Sequence, residues 1–315
     1  MKPGKGLMKR DFISLKDFSS GEISNLLSLA KQLKSNPRHG CDFLKGKSVA
    51  LIFQKPSNRT RVSFETGIFQ LGGNAIYLAP DDISLGKREP TADIAKTLSR
   101  YVDGIVARVF SHHDLLDLAK YATVPVINAL SNLSHPCQVL ADILTVQEKF
   151  GKLKGIKFAY IGDGNNMTNS LLMAGAKTGM AISVATPKGY EPDRGYVKAA
   201  EDAAKTTGAK IVLTHDPREA VKGAQVIYTD TWVSMGQEDE KTQRLKDFEG
   251  YQIDEKLASI ADKNYIFMHC LPAHRGQEVT ADVIDGPHSV IFDEAENRLH
   301  AQKAVMIYLH TFKHQ

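Results

Sequence analysis

Short apolar runs that stop abruptly and give way to helical stretches recur along this chain. That alternation restricts it to α/β architectures. The clearest case is Val49-Ala50-Leu51-Ile52-Phe53. Consecutive apolar residues without polar alternation read as a strand buried on both faces, as in a parallel sheet. Pro56 breaks the run, Ser57 or Asn58 can cap a helix, and a helical stretch follows to about Leu71, where Gly72-Gly73 ends it. The same pattern predicts strands at 75–78, 104–109 and 124–128, and helices at 91–101, 114–121 and 136–150. Upstream, Ser19 and Glu22 form a capping signal for a helix carrying Ile23, Leu26, Leu27, Leu29, Ala30 and Leu33 at helical spacing. The pattern restarts near Gly155, with strands at 155–161, 181–185, 210–214, 226–229, 265–268 and 290–292. Helices are predicted at 168–179, 199–207, 217–221 and finally 297–310. Strands alternating with helices imply βαβ units. The expected fold is α/β, with two doubly wound parallel-sheet domains over 1–150 and 151–315. The last helix, from about 297, is expected to return to the first domain.

Length and composition bound the rest. A chain of 315 residues accommodates two domains of ordinary size. Its net charge of +4 is too small for a general nucleic-acid binder, though it suits a small anionic ligand. Cys41, Cys137 and Cys270 are widely spaced and form no C-x-x-C pair, which argues against a disulfide framework or zinc cluster. A reducing, cytoplasmic setting is expected. No apolar run reaches membrane-span length, and the basic Met1–Gly6 stretch lacks the apolar segment of a secretory signal.

Polar clusters fall where strands end or helices begin. Ser57-Asn58-Arg59-Thr60-Arg61 sits at a helix N-terminus, whose free N–H groups and dipole attract anions, and Arg forks match phosphate oxygens. Arg108 lies inside an apolar strand, where a charge is costly to bury without an anionic partner. A structural salt bridge would also satisfy it. His135-Pro136-Cys137-Gln138 opens the long helix, with Pro136 a standard first-turn residue. His135 can donate to an oxygen that gains charge in a transition state; an ordinary capping turn would look the same. Asp230 leads into a loop through Ser234-Met235-Gly236, and could bind an amine. His269-Cys270-Leu271-Pro272 follows a buried strand, where Cys270 admits nucleophile, metal or purely structural readings. Gly162-Asp163-Gly164 has Met167 where a dinucleotide fingerprint needs a third glycine, and Thr186-Pro187 where it needs an acid. It reads as a tight turn presenting Asn165 or Asn166.

Together these clusters resemble the aspartate/ornithine transcarbamoylase family over nearly the whole chain. Ser57–Thr60 resembles the family's S-T-R-T motif and His135–Gln138 matches H-P-C-Q. Asp230-x-x-x-Ser234-Met235-Gly236 and His269-Cys270-Leu271-Pro272 resemble its ornithine-using branch. The resemblance implies transfer of the carbamoyl group of carbamoyl phosphate to the δ-amine of L-ornithine. It implies Ser57, Asn58, Arg59 and Thr60 on the phosphate, Arg108, His135 and Gln138 on the carbamoyl group, and Arg298 closing on carbamoyl phosphate. It places Cys270 and Leu271 where both substrates meet, and Asn166, Asp230, Ser234 and Met235 on ornithine. Arg108, His135 and Cys270 carry the catalytic roles. No cofactor, metal, nucleic acid or membrane is implied; a homotrimer or a multiple of trimers is. Two positions depart from the family pattern: Asn58 replaces Thr, and Ser84 replaces the usual Gln or His. Other readings are a transcarbamoylase for putrescine or an acylated ornithine, a nicotinamide-dependent oxidoreductase, and a non-catalytic anion-binding homologue.

Overall fold

The computed structural model describes residues 9–36, 39–83, 85–86, 89–234, 236 and 238–311. The chain divides into two compact units, residues 1–137 with 298–315, and residues 138–297. Ser84 and Met235 lie outside the described residues.

The first unit is a four-stranded parallel sheet ordered β2-β1-β3-β4. Its elements are α1 (Ser20–Ser35), β1 (Ser48–Phe53), α2 (Asn58–Gln70), β2 (Asn74–Leu78), α3 (Pro80–Ile83) and α4 (Thr91–Leu98). They continue with β3 (Gly104–Arg108), α5 (His112–Tyr121), β4 (Val126–Leu130) and the start of α6 (Pro136–Phe150). The central strands β1 and β3 are apolar because helices cover both faces, and β3 is buried along its whole length. Phe53 pairs with Arg108, so the carboxyl ends of β1 and β3 finish side by side. The β3–β4 register shifts between Ala107 and Arg108, and β4 then runs out to Leu130. Three neighbouring strand ends thus deliver the Ser57–Arg61 stretch, Arg108 and the approach to His135. Capping is as anticipated for α1, where Ser19 and Glu22 form a reciprocal capping box.

The second unit is a five-stranded parallel sheet ordered β7-β6-β5-β8-β9. It comprises β5 (Lys157–Ile161), α7 (Asn166–Thr178), β6 (Ala181–Ala185), α8 (Arg194–Thr207), β7 (Lys210–Thr214), α9 (Pro217–Val221) and β8 (Val226–Thr229). After these come α10 (Lys241–Asp247), α11 (Glu255–Ala258), β9 (Ile266–His269), α12 (Ala281–Ile284) and α13 (Ile291–Thr311). Ile161 pairs with Thr229, and Thr229 with His269, so again three adjacent strand ends gather polar residues. Doubly wound α/β domains are therefore what the chain forms.

One predicted element is corrected. Val290–Phe292 is not a strand: Ser289 makes only an isolated bridge to Phe267, and α13 begins at Ile291. The Glu294 N–H donates to the Val290 carbonyl at 2.9 Å, and Asp293 and Glu294 occupy the first turn, where the helix dipole favours acids. Three apolar residues were too short a run to outweigh that signal. From Arg298 onward α13 belongs to the first unit. Lys303 Nζ donates to Gln70 Oε1 at 2.8 Å and Tyr308 OH to Glu22 Oε1 at 2.7 Å. Among the described residues no helix is long and apolar enough to cross a membrane.

Candidate active site

In the first unit Ser57, not Asn58, is the N-cap of α2. Its extended backbone turns the hydroxyl back to accept the Thr60 N–H at 3.3 Å. Asn58 is the first helical residue, exposed, and its Oδ1 accepts the Arg59 N–H at 2.7 Å. Two of the helix's orphan N–H groups are thus held by the protein's own side-chain oxygens, at the positions an anion would take. Thr60 is buried, and its hydroxyl accepts from Ser57 Oγ at 3.1 Å and from Arg298 Nη2 at 3.3 Å. Arg108, His135 and Arg298 are buried within the same unit. Arg61 does not join them: it is exposed, pairs with Glu65 at 2.8 Å, and lies 3.7 Å over the Tyr77 ring.

His135 is held in place from the β4 side. Asn128 Nδ2 donates to Ile13 O and to Ser134 Oγ, both at 2.9 Å, which shapes the turn before α6. Burial is the main cause that keeps the imidazole pKa well below 6.5, and the positive charges of Arg298, Arg108 and Arg59 push it the same way. His135 is therefore a neutral donor amid guanidiniums. Cys137 is structural: burial raises its thiol to about 12, and its Sγ donates to the Asn128 carbonyl at 3.3 Å.

In the second unit Gln138 is buried in the first turns of α6. Its Nε2 donates to Asp142 Oδ1 at 2.8 Å and to Glu294 Oε1 at 2.9 Å. Glu294 also accepts from Tyr228 OH at 3.1 Å and from the His269 N–H at 2.9 Å. Burial, reinforced by repulsion from Asp142, pushes Glu294 well above the ordinary carboxylate range. Sequence reading missed this carboxyl pair. The only available signal, Asp293-Glu294 at a helix start, was hidden by the misassigned strand.

Asp230 directly follows β8 and is buried. It accepts from Asn165 Nδ2 at 2.9 Å, from the Thr231 N–H at 2.8 Å, and from Cys270 Sγ at 3.0 Å. Burial and the Asp230 carboxylate hold the Cys270 thiol well above its ordinary value, so it is a protonated donor and not a thiolate. Asn165 caps α7, accepting from the Met167 N–H at 2.9 Å, with Asn166 next to it as the first helical residue. Ser234 is half-buried. Trp232 anchors that loop in the core, stacked on Phe248 at 5.5 Å. Arg244 Nη1 donates to the Trp232 carbonyl at 3.0 Å and to Asp163 at 2.9 Å.

Asp230, His269 and Cys270 offer donor atoms within 4.8 Å of one another, the spacing of a metal site. Hydrogen bonds account for the grouping: His269 Nδ1 accepts the Leu271 N–H at 2.8 Å, and Nε2 faces Glu278 Oε1 at 3.2 Å. Gly162-x-Gly164 likewise has a local cause. Gly164 N–H donates to the Tyr190 carbonyl at 2.8 Å, and a Cβ on Gly164 would collide with the Tyr190–Pro192 backbone. The glycines permit a close backbone crossing, which leaves the dinucleotide reading without its main support.

A doubly wound unit with guanidiniums and a neutral imidazole at its strand ends, and another with a carboxylate and a thiol there, give a two-domain α/β protein whose polar groups gather where such sheets place ligands. Comparison with known proteins makes this specific. Residues 10–148 match the family described as aspartate/ornithine carbamoyltransferase, carbamoyl-P binding domain, and residues 154–309 match its Asp/Orn binding domain. The chain is 56% identical over 302 residues to an ornithine carbamoyltransferase of Thermococcus kodakarensis, covering 95% of this chain and 96% of that one. It is 55% identical over 302 residues to one from Pyrococcus furiosus described as anabolic, covering 95% of this chain and 96% of that one. The solved structure of ornithine carbamoyltransferase from Pyrococcus furiosus superposes with a TM-score of 0.94 at 54% identity, covering 98% and 99% of the two chains. The chain belongs to the aspartate/ornithine carbamoyltransferase family.

Proposed function

We propose that this chain is an ornithine carbamoyltransferase, transferring the carbamoyl group of carbamoyl phosphate to the δ-amine of L-ornithine to give L-citrulline and phosphate. The observation that carries the reading is the buried, neutral His135 among the charges of Arg59, Arg108 and Arg298 on the unit that matches a carbamoyl-phosphate-binding family. Relatives named for this reaction, 55–56% identical over most of the chain, support it.

Ser57, Asn58, Arg59 and Thr60 bind the phosphate, through α2 N–H groups and the Arg59 guanidinium. Anion binding displaces the Asn58 amide from the Arg59 N–H. Arg108, His135 and Gln138 hold the carbamoyl group, with Cys270, Leu271 and Arg298 completing its recognition. Asn166, Asp230, Ser234 and Met235 bind ornithine. The lone pair of the δ-nitrogen attacks the carbonyl carbon, and the oxygen gains negative charge. Arg108, His135 and Thr60 stabilise that oxyanion; each such donor is worth about 3 kcal/mol. The bond from carbon to the bridging oxygen then breaks, its electron pair leaves on phosphate, and phosphate accepts the proton shed by nitrogen. A cationic imidazole is not needed, which fits the suppressed basicity of His135. Asp230 and Cys270 orient the nitrogen, and Cys270 forms no covalent intermediate because its thiol stays protonated.

The same reading includes a cytoplasmic enzyme of arginine biosynthesis that assembles as a homotrimer or a multiple of trimers. The test is citrulline formation from carbamoyl phosphate and ornithine, with putrescine and an acylated ornithine as competitors. Strong preference for either competitor overturns the assignment of ornithine. Turnover that survives both Arg59→Ala and Arg108→Ala overturns the assigned site.

A further inference from the structure

Leu271 is the only non-glycine residue with positive φ among the described residues, at 58°. Such a conformation persists in a branched residue only when its surroundings over-determine it. The side chain that does so is His269, whose Nδ1 accepts the Leu271 N–H at 2.8 Å. An accepting Nδ1 makes His269 the tautomer with its proton on Nε2. Nε2 faces Glu278 Oε1 at 3.2 Å, and both residues are fully buried. The same Oε1 accepts the His274 N–H at 2.6 Å. One carboxylate therefore ties both ends of the His269–His274 turn. Its own backbone is fixed by the Ile253 N–H, which donates to the Glu278 carbonyl at 2.9 Å. Between the tied ends sit Cys270, bonded to Asp230 at 3.0 Å, and Leu271.

We propose that Glu278 is a positioning residue for the transfer reaction: it fixes the His269 tautomer, through which it sets the Cys270–Leu271 corner. The proposal rests on the function assigned above. Without an acceptor at Nε2 the imidazole has no reason to keep its proton there. The other tautomer turns N–H against N–H at Leu271, and the corner relaxes. Outer partners that orient a ligating histidine follow the same logic.

Glu278→Gln tests this with little change of shape: a carboxylate can only accept at Nε2, whereas the Gln amide can equally turn its NH2 to an unprotonated Nε2 and stabilise the proton on Nδ1, so the variant no longer fixes the tautomer. The expected result is a fall in kcat of about 10- to 100-fold for the folded protein, the range typical of lost outer partners. His269→Asn supplies the second arm. An Asn oxygen can accept the N–H two residues on without outside help. In that background Glu278→Gln should cause no further loss of kcat. A purely structural Glu278 would instead lower the unfolding temperature while leaving the kcat of the folded protein intact; that outcome, or independent additive losses in the double variant, overturns the proposal. Imidazole 15N shifts of the wild-type chain give a readout separate from turnover. The expected signature is a protonated Nε2 on His269, and a protonated Nδ1 would refute the relay. If the wild type makes no citrulline, the functional assignment fails while the tautomer measurement still judges the relay.

Discussion

Thr60→Val isolates one hydroxyl at the centre of the proposed oxyanion site. The two side chains are nearly the same size, and Thr60 is 1% exposed, so the substitution changes hydrogen bonding more than packing. A hydroxyl offers one donor and two acceptor lone pairs. Ser57 Oγ, at 3.1 Å, and Arg298 Nη2, at 3.3 Å, occupy the acceptor side. The Thr60 proton is thereby left to donate, and the carbamoyl oxygen is where charge develops. Losing one such donor costs about 2.7–4 kcal/mol of transition-state stabilisation, or about 100- to 1,000-fold in kcat. The KM for carbamoyl phosphate should move much less, because the N–H groups of α2 are untouched. Stability should fall by about 1–2 kcal/mol, for the buried Arg298 and the half-buried Ser57 donors that lose their acceptor. Steady-state citrulline formation measures the first effect and urea unfolding the second. Thr60→Ser restores the hydroxyl and should recover most of kcat. A Thr60→Val enzyme with wild-type kcat, or with a raised KM alone, refutes the assignment of Thr60 as an oxyanion donor.

Further outcomes bear on the other parts of the site. For His135, the depressed pKa means that the unfolded chain binds more protons than the folded one between the native value and 6.5, so folding stability should drop as pH falls below 6.5. The slope is at most about 1.4 kcal/mol per pH unit for one group. His135→Asn should remove that contribution, read as the difference between wild-type and variant urea unfolding at several pH values; identical slopes would contradict a buried neutral imidazole. Cys270→Ser keeps a donor for Asp230, so the variant should retain measurable turnover and accumulate no acyl intermediate, whereas complete loss in a folded variant would revive a nucleophilic role. Arg244→Met leaves Asp163 buried without its partner, and should cost about 3–5 kcal/mol by chemical denaturation. Burial already raises the Asp163 carboxyl to about 6 against the opposing pull of Arg244, so an unchanged midpoint would mean the pair contributes nothing.

Much of this site could be read from residue order because α/β sheets place ligands at strand ends. Ser57, Arg108, His135, Asp230 and Cys270 each stand at or just beyond such an end. What could not be read was which side chains hold them. Glu294 is 156 residues from Gln138, and His269 is held by Glu278 through a turn whose shape no spacing rule encodes. Arg61 illustrates the opposite error. Its place beside Arg59 suggested a second cation for the anion, yet the helix turns it out toward Glu65 and Tyr77.

The sequence by itself determined the alternation of strands and helices, a helix start at Ser57 or Asn58, and the motifs that define the family. These depend on local periodicity, turn residues and spacing, all of which act over a few positions. Only the tertiary structure decided the strand orders, the neutral state of His135, the protonated Cys270 and the tying of the Cys270–Leu271 corner. The physical reason is that desolvation and Coulomb interactions depend on what is packed around a group. Arg298 raises the cost of charging His135 from far along the chain, and no local pattern carries that information.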